Sequence, residues 1–262
     1  MTASLRASAL HAAGPSAGRR GARFGRRGGG AAPSPYSPAA SALQLPNTAI
    51  WISTSGLTLA DGDTTVDSWL AGWGGIRPTL TAPAATNRPA YTAGAVPTLT
   101  FDGTDNVLRG AMTKGSAWAD YEWGVVGSRV AFGSGADVWL GYYVPAATVF
   151  RLADQAAATA RASVAGGADA VSTSDPDGVT AHWSGDATGT AISFRRAGTI
   201  EAGAVGAVTS RADGKTVVMG AHYDGTAAAN VVISAAYIGP ALTADQRTYL
   251  RALLTALTGV SS

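Results

Sequence analysis

The sequence predicts an all-β protein built as an antiparallel β-sandwich, and three observations carry that prediction. About ten short segments alternate apolar and polar side chains with the two-residue period of a half-buried strand. Clusters of Gly, Asp, Pro and Ser separate these segments, as tight turns between strands require. Because no helical pattern lies between them, antiparallel layers are favoured over a parallel sheet with crossover helices.

The clearest strand pattern lies in the segment 96–108. Leu99 and Phe101 alternate with threonines, and Asp102-Gly103 then supplies a tight turn before Val107 restarts the apolar pattern. The same unit of strand and turn repeats along the chain. The predicted strands cover 48–53, 97–101, 121–130, 137–144, 147–152, 159–164, 179–183, 190–195, 215–221 and 229–238.

One helix is predicted near the C-terminus. Thr243 followed three residues later by Gln246 forms the pattern of a capping box. Leucines at positions 250, 253, 254 and 257 then fall on one helical face, and Gly259 provides the stop. We expect this leucine stripe to pack on the edge of the sandwich; a groove-binding helix for a partner is the alternative.

Residues 1–44 differ from the rest of the chain. They contain six arginines and no acidic residue, whereas residues 45–262 hold the other 13 basic residues and all 17 acidic ones. The segment is rich in Gly, Ala, Pro and Ser and has few large apolar side chains, so it cannot bury enough surface to offset its ordering entropy. We therefore predict a basic arm over 1–44 and a folded domain over 45–262.

The arm has several possible roles. It lacks the apolar region of a secretory signal, and the chain has no apolar run of the roughly 20 residues that a membrane span needs. Arginine neutralises phosphate, but the absence of interleaved aromatic residues argues against nucleic acid as the partner. A solvated flexible tail and an assembly anchor remain open. For the anchor, the candidate residues are Arg19, Arg20, Arg23, Arg26 and Arg27.

An ordered set of motifs carries a family resemblance. Pro97-x-Leu99-x-Phe101-Asp102-Gly103-x-Asp105-x-x-Leu108 is preceded by tryptophan segments at 49–53 and 66–69 and by Asn87-Arg88-Pro89-Ala90-Tyr91; a strand at 231–238 and a helix start at 242–247 follow. This order resembles the laminin G-like jelly rolls of the concanavalin A-like lectin and glucanase group. Two positions depart from the pattern, at Ile52-Ser53 and at the run 70–75, so no polar role is carried over to them.

The resemblance implies a concanavalin A-like jelly roll with one short C-terminal helix and an extended N-terminal arm. It points to structural proteins of phages or phage-like particles, such as a head spike or a tail fibre. Residues 1–44 would then attach the chain to capsid, spike or tail proteins in an oligomeric assembly on the virion. The sandwich would be displayed outward, where it could touch host glycans. The alternative is a stand-alone carbohydrate-binding lectin of a bacterial surface protein.

Catalytic motifs are missing from the sequence, so we predict no enzyme and no cofactor. Glucanases on this fold use a Glu-x-Asp-x-x-Glu strand, yet the chain has only two glutamates, Glu122 and Glu201, and neither lies in that pattern. There is no cysteine, no zinc-type histidine spacing among His11, His182 and His222, and no Gly-x-Ser-x-Gly nucleophile elbow. A divergent glycoside hydrolase is disfavoured for the same reason.

Aromatic residues are the candidates for sugar contacts. Trp51 and Trp69 are expected to be core anchors. The residues proposed as exposed stacking platforms lie beside Gly-rich loops or on alternating strands: Trp73, Tyr142, Tyr143, Trp183 and Tyr223. The competing interpretation is that these five side chains pack between the two sheets.

Loop aspartates are weak calcium candidates. Asp102 and Asp105, together with Asp61 and Asp63, could supply the hard oxygen ligands that calcium prefers. The alternative is that Asp102-Gly103 and Asp61-Gly62-Asp63 are turns whose carboxylates bond their own backbone.

Overall fold

The computed structural model describes residues 36–112, 118, 120–133, 137–144, 147–156, 159–164, 169–205, 216–222 and 224–262. Within these residues, eighteen antiparallel strands form one continuous sheet. The strands are β1 (Ala49–Ile52), β2 (Leu57–Ala60), β3 (Thr65–Leu70), β4 (Trp73–Gly74), β5 (Thr79–Thr81), β6 (Ala90–Thr92), β7 (Thr98–Asp102), β8 (Leu108–Ala111), β9 (Tyr121–Ala131), β10 (Val138–Val144), β11 (Ala147–Ala156), β12 (Thr159–Val164), β13 (Ala170–Val171), β14 (Ala181–Thr188), β15 (Ala191–Arg196), β16 (Thr199–Val205), β17 (Thr216–Met219) and β18 (Asn230–Pro240).

The sheet folds over on itself into two layers. The first layer has the order β16-β15-β14-β9-β18; β7 and β1 pair with the two halves of β18, and β4 pairs with β1. The second layer has the order β13-β12-β11-β10-β17-β8-β5-β3-β2. Strand β6 joins the layers at one end because it pairs with both β7 and β3.

Aromatic side chains from both layers meet in the core. Trp123 of β9 stacks on Phe150 of β11 with 4.6 Å between ring centroids. Trp139 of β10 meets Trp183 of β14 edge-on at 6.2 Å. Rings at these separations contribute both buried area and favourable aromatic geometry. The predicted all-β antiparallel sandwich is therefore confirmed.

Two sequence predictions are confirmed by burial in the structure: the alternation in β7 and the inward position of Trp51 and Trp69. In β7, Leu99 and Phe101 are fully buried while the residues between them are partly exposed. Trp51 and Trp69 are both fully buried, and the Trp51 indole N–H donates to the Trp69 carbonyl at 3.1 Å. These side chains are core anchors, as expected.

Helix α2 (Ala244–Thr258) covers the first layer. Thr243 and Gln246 make the reciprocal capping box, and Gly259 ends the helix with a φ of 69°. The leucine stripe packs on the outer face of the first layer rather than on its edge. The buried residues of this second core are Leu45, Ile50, Ile52, Trp73, Val126, Ala235, Tyr237, Leu242, Leu250, Leu253 and Leu254.

A short helix, α1 (Pro38–Gln44), lies inside the segment that we assigned to the arm. Pro38 occupies the first turn, where its missing N–H costs nothing, so the prolines here begin a helix instead of preventing one. Ser41 is fully buried and its hydroxyl accepts from the Gly74 N–H at 2.8 Å, while Tyr36 packs on Tyr249 of α2 at 5.9 Å. Residues 36–44 thus belong to the folded unit, and the predicted boundary at 44/45 lies too far along the chain.

The remaining arm predictions concern residues outside the described part of the chain. The five anchor candidates, Arg19, Arg20, Arg23, Arg26 and Arg27, all precede residue 36, so their role stays a prediction. Among the described residues, neither helix has the length and apolar character needed to cross a bilayer.

Candidate functional site

Four of the predicted sugar-stacking residues are buried. Trp183, Tyr142 and Tyr143 are at most 1 % exposed and Trp73 is 7 % exposed. Two of them bond inside the protein: the Trp183 N–H donates to the Gly127 carbonyl at 3.0 Å, and the Tyr142 hydroxyl donates to the Met112 carbonyl at 3.0 Å. The prediction of exposed platforms is wrong for these four, because strand alternation turns Tyr142 and Trp183 inward. Tyr223 lies outside the described residues.

The weak calcium candidates form turns. One carboxylate oxygen of Asp102 accepts the backbone N–H of Thr104 at 2.9 Å and that of Asp105 at 3.4 Å, which is the geometry of an Asx turn. Asp61 instead binds Thr65 and Arg88 through its carboxylate. Within the described ranges, no group of three or more His, Asp or Glu side chains is arranged to hold a metal ion.

Arg129 of β9 is the centre of the largest buried charge cluster. Its side chain is fully buried, yet its guanidinium contacts three carboxylates. Asp154 of β11 lies 3.3 Å away and is also fully buried, Asp175 lies at 3.3 Å, and Asp177 binds the Nε–H. Arg129 also donates to the carbonyl of Ala156 at 3.1 Å. We call Arg129 and these three aspartates the Arg129 centre.

Within this centre, the carboxyl group of Asp154 has the pKa that is shifted furthest from its ordinary value. Burial raises its pKa to about 7, although the charges of Arg129 and a hydrogen bond from the Trp139 indole (2.9 Å) oppose that rise. Its second oxygen, Oδ2, has no hydrogen-bond partner within the described residues. A carboxyl group with a pKa near neutrality is a common feature of catalytic sites, but structural ion pairs produce it as well.

Two further buried carboxylates lie under helix α2. Glu122 and Asp186 face each other across β9 and β14. Arg247 of α2 donates to Glu122 at 2.8 Å, and Arg195 of β15 donates to Asp186 at 2.6 Å. Burial raises the pKa of Glu122, and Arg247 works against that shift. Each of these carboxylates is held by an arginine, which ties the helix and the neighbouring strand to the sheet.

His182 of β14 is buried beside this group. Its ring packs at 5.6 Å from Tyr237, and neither ring nitrogen has a hydrogen-bond partner within the described residues. Burial, with a smaller contribution from the Arg251 charge, lowers its pKa to about 3. The imidazole is therefore neutral at physiological pH, and its position in the core argues for packing rather than proton transfer.

A different arrangement lies on the outer face of the second layer. Gly141 of β10 is opposite Arg151 of β11, and Arg151 is opposite Ser163 of β12. Their strand neighbours Tyr142, Phe150 and Val164 point into the main core, so this row points outward. Arg161, two residues before Ser163, lies diagonally from Arg151 on the same face. We call Gly141, Arg151, Arg161 and Ser163 the arginine face.

The two arginines of this face differ in their partners. Arg161 binds Asp169 at 2.5 Å. Arg151 makes no hydrogen bond or ion pair with any residue of the described part of the chain, and its Nε is buried. Burial and the neighbouring Arg161 lower the pKa of Arg151 from its ordinary value, while Tyr143 and Asp169 partly offset the shift. Arg151 is therefore a partly buried cation that contacts no carboxylate among the described residues.

Sequence reasoning did not single out any residue of the arginine face. Arg151 and Arg161 occur in alternating stretches that were assigned as strands over 147–152 and 159–164. The period of two does show that each arginine points away from Phe150 or Ala162. That Ser163 lies opposite Arg151 depends on the strand register, which hydrophobic alternation alone left open.

The comparisons with known proteins show the fold. No family model and no curated protein sequence matches the chain. Among solved structures, a Trypanosoma rangeli sialidase in complex with sialic acid matches 87% of this chain with a TM-score of 0.58 and 15% identity, and a second structure of Trypanosoma rangeli sialidase matches 83% with 0.57 and 13%. A GH54 α-L-arabinofuranosidase matches 74% with a TM-score of 0.52 and 11% identity.

This chain spans only part of those proteins. It covers 34–36% of the two sialidase chains and 51% of the arabinofuranosidase chain. The prediction of a phage or phage-like particle component, with a bacterial surface lectin as its alternative, is corrected by these matches, because the structures that share the fold are carbohydrate-active enzymes. At these identities the likeness establishes the sandwich and no activity.

Proposed function

We propose that the sandwich is a carbohydrate-binding module that works with a glycoside hydrolase and does not itself hydrolyse glycosidic bonds. The observation that carries the proposal is partial coverage: the fold is shared with a third to a half of the chain in enzymes that act on sugars. A module of that size has room for a binding surface while catalysis lies elsewhere in the larger protein.

The buried carboxylates support the proposal that this chain does not itself hydrolyse glycosidic bonds. Retaining hydrolysis needs two carboxyl groups about 5–5.5 Å apart on either side of the scissile bond. Glu122, Asp154 and Asp186 are instead each in contact with an arginine, in ion pairs that link strands and helix. A substrate would have to displace Arg129 or Arg247 to reach them, at a high cost in desolvated charge.

The two layers differ in what covers them, and this difference indicates the binding surface. Helices α1 and α2 pack on the outer face of the first layer. On the second layer, a buried cluster that includes Tyr143 and Val218 covers the outer face over β10 and β17. Arg151 and Arg161, on β11 and β12, are partly exposed. We therefore assign carbohydrate binding to the outer face of the second layer, over β11 and β12.

The test is a glycan array with the full chain, followed by an NMR titration with the best oligosaccharide. We expect saturable shifts of amides in β11 and β12, with those of α2 and β16 unchanged as the internal control. Absence of any glycan binding, or shifts confined to the α2 face, would contradict the binding assignment. Steady release of nitrophenol from a panel of nitrophenyl glycosides would overturn the proposal that the chain has no hydrolytic activity.

A further inference from the structure

We propose that the arginine face binds the anionic group of an acidic carbohydrate, a carboxylate or a sulfate, and that Arg151 is the residue that pairs with it. This inference rests on the proposed function, since it specifies the ligand of the same surface. It is argued from the charge balance and the polar atoms around Arg151.

The charge balance favours an anion. Arg109, Arg151 and Arg161 all project from the outer face of the second layer. Asp169 is bound to Arg161 through a hydrogen bond of 2.5 Å, which leaves Arg151 without a carboxylate among the described residues. Two arginines in diagonal positions repel each other, so an anion placed between them removes an unfavourable interaction as well as adding a favourable one.

The polar atoms favour a ligand that accepts hydrogen bonds. Ser163, directly opposite Arg151, is 6 % exposed, and its buried hydroxyl has no hydrogen-bond partner within the described residues. The buried Nε of Arg151 lacks a partner in the same part of the chain. Buried polar groups are rarely left unsatisfied in proteins, and each exception calls for an explanation. A carboxylate or sulfate oxygen can accept from both donors, in charge-assisted hydrogen bonds.

The space over Gly141, opposite Arg151, is filled by an aromatic ring. A Cβ atom placed at residue 141 would lie 2.5 Å from the Tyr143 hydroxyl, so the tyrosine ring is folded down over Gly141. The His222 ring meets Tyr143 edge-on at 5.1 Å. The β10 side of the arginine face is therefore closed, and the anion contacts Arg151 and Ser163 over β11 and β12.

The first experiment uses inorganic sulfate as the probe. Amide shifts of the full chain are followed during titration with sodium sulfate, against sodium chloride at equal ionic strength, for the wild type, Arg151→Gln and Arg77→Gln. Arg77 is the matched control because it is exposed on a loop and loses the same charge. We expect saturable shifts around β11 and β12 in the wild type and in Arg77→Gln, and binding at least about tenfold weaker in Arg151→Gln, as for a lost charged hydrogen bond. Equal binding by Arg151→Gln, or no specific sulfate effect in the wild type, would overturn the assignment.

The second experiment separates the sugar from the simple anion. Affinities for sialyllactose and lactose, which differ by one acidic residue, are measured at low and at high salt. We expect the wild type to prefer sialyllactose, the preference to shrink with salt, and Arg151→Gln to lose it while keeping its affinity for lactose. A preference that survives in Arg151→Gln counts against the inference.

The outcomes distinguish this inference from the proposed function. Sulfate binding that depends on Arg151, without affinity for either sugar, would support the anion site and count against the carbohydrate module. Binding of both sugars with equal affinity, unaffected by Arg151→Gln, would support the module and overturn the anion site.

Discussion

Arg129 and Arg151 are both at least partly buried and both lie on long strands, yet their surroundings are opposite. Arg129, on the first layer, is fully buried and contacts Asp154, Asp175 and Asp177. Arg151, on the second layer, has no ion-pair partner in the described part of the chain. The two arginines thus differ in the number of carboxylates in contact with the guanidinium, which is three for Arg129 and none for Arg151 among the described residues. If Arg151 binds an anion as proposed, this number and not burial distinguishes the two roles.

The Arg129 centre connects parts of the chain that are far apart in sequence. Arg129 belongs to β9, Asp154 to β11 in the facing layer, and Asp175 and Asp177 to the loop before β14. Asp175 and Asp177 are 54 % and 40 % exposed, so the centre has one face in the core and one toward water. An ion cluster of this kind specifies how the layers meet, because removing one member leaves a charge buried without compensation.

Replacement of Arg129 by methionine is the strongest test of the comparison. Arg129→Met removes the cation that Asp154 contacts and should lower the free energy of unfolding by about 3–5 kcal/mol at pH 7. The measurement is urea unfolding followed by tryptophan fluorescence. The double variant Arg129→Met with Asp154→Leu should recover part of the loss, since it removes the uncompensated carboxylate.

Arg151→Met is the matched control for this experiment. Because Arg151 contacts no carboxylate in the described residues and burial disfavours its charge, its replacement should lower the free energy of unfolding by no more than about 0.5 kcal/mol. Similar losses in the two single variants would mean that Arg151 is as structural as Arg129, and the contrast between them would fail.

The raised pKa of Asp154 predicts a pH dependence. Its pKa is about 7 in the folded protein and near 3.8 in the unfolded chain, so the folded state binds more protons between these values. Stability contributed by this group is therefore full below about pH 4 and falls as the pH rises to 7, by at most about 1.4 kcal/mol per pH unit. Asp154→Asn removes this dependence, and unfolding at pH 4 to 8 measures it.

The difference between wild type and Asp154→Asn is the quantity to follow. His182, whose pKa is lowered to about 3, has the opposite effect, because its unfolded form takes up a proton below about pH 6.5. Glu122, with a raised pKa, changes stability in the same direction as Asp154. Both are present in wild type and variant, so their contributions cancel. A constant difference across this pH range would show that Asp154 does not titrate there.

Breaking the ion pair between Glu122 and Arg247 under helix α2 should lower the free energy of unfolding by a smaller amount. Glu122 is almost fully buried while Arg247 is about a quarter exposed, so Arg247→Met leaves a carboxylate that water and the Leu242 N–H still partly solvate. We expect a loss of about 1–3 kcal/mol at pH 7. The loss should shrink as the pH falls, because a protonated Glu122 needs no cation. An undiminished loss at pH 4 would indicate that Arg247 acts through packing alone.

Much of the fold could be predicted from the sequence because alternation and turn residues act locally. All ten predicted strands correspond to strands of the structure, and the capping box at Thr243 and Gln246 marks the start of α2. Eight strands lie outside the predicted ranges, and six of them have only two to four residues: β2, β4, β5, β6, β8 and β13. The two longer ones are β3, with six residues, and β16, whose sequence Thr-Ile-Glu-Ala-Gly-Ala-Val has weak hydrophobic contrast. Helix α1 lies in a segment that its Gly-, Ala-, Pro- and Ser-rich composition assigns to the arm, although Pro38 is tolerated in the first turn of a helix.

The charge clusters could not be predicted because they are assembled by strand register and by packing of the layers. Arg129 and Asp177 are 48 residues apart, and Arg247 and Glu122 are 125 apart. Trp183 and Tyr142 carry no local sign of which face they occupy until their neighbours are placed in the core. Sequence composition gives the number of charges, whereas their pairing is a property of the folded layers.

Replacement of Arg88 should have the smallest effect on stability, and it adds a third arginine to the comparison. It contacts two carboxylates, Asp67 at 2.8 Å and Asp61 at 3.1 Å, but all three side chains are partly exposed. Water and salt screen such pairs, so Arg88→Gln should change Tm by less than about 2 °C and the change should vanish in high salt. The pKa of Asp61, which a Thr65 hydrogen bond and then Arg88 hold below its ordinary value, should rise but stay below normal, because the Thr65 bond remains. A large loss of stability would mean that carboxylate contacts stabilise arginines irrespective of burial; in that case the contrast between Arg129 and Arg151 reflects the number of contacts alone.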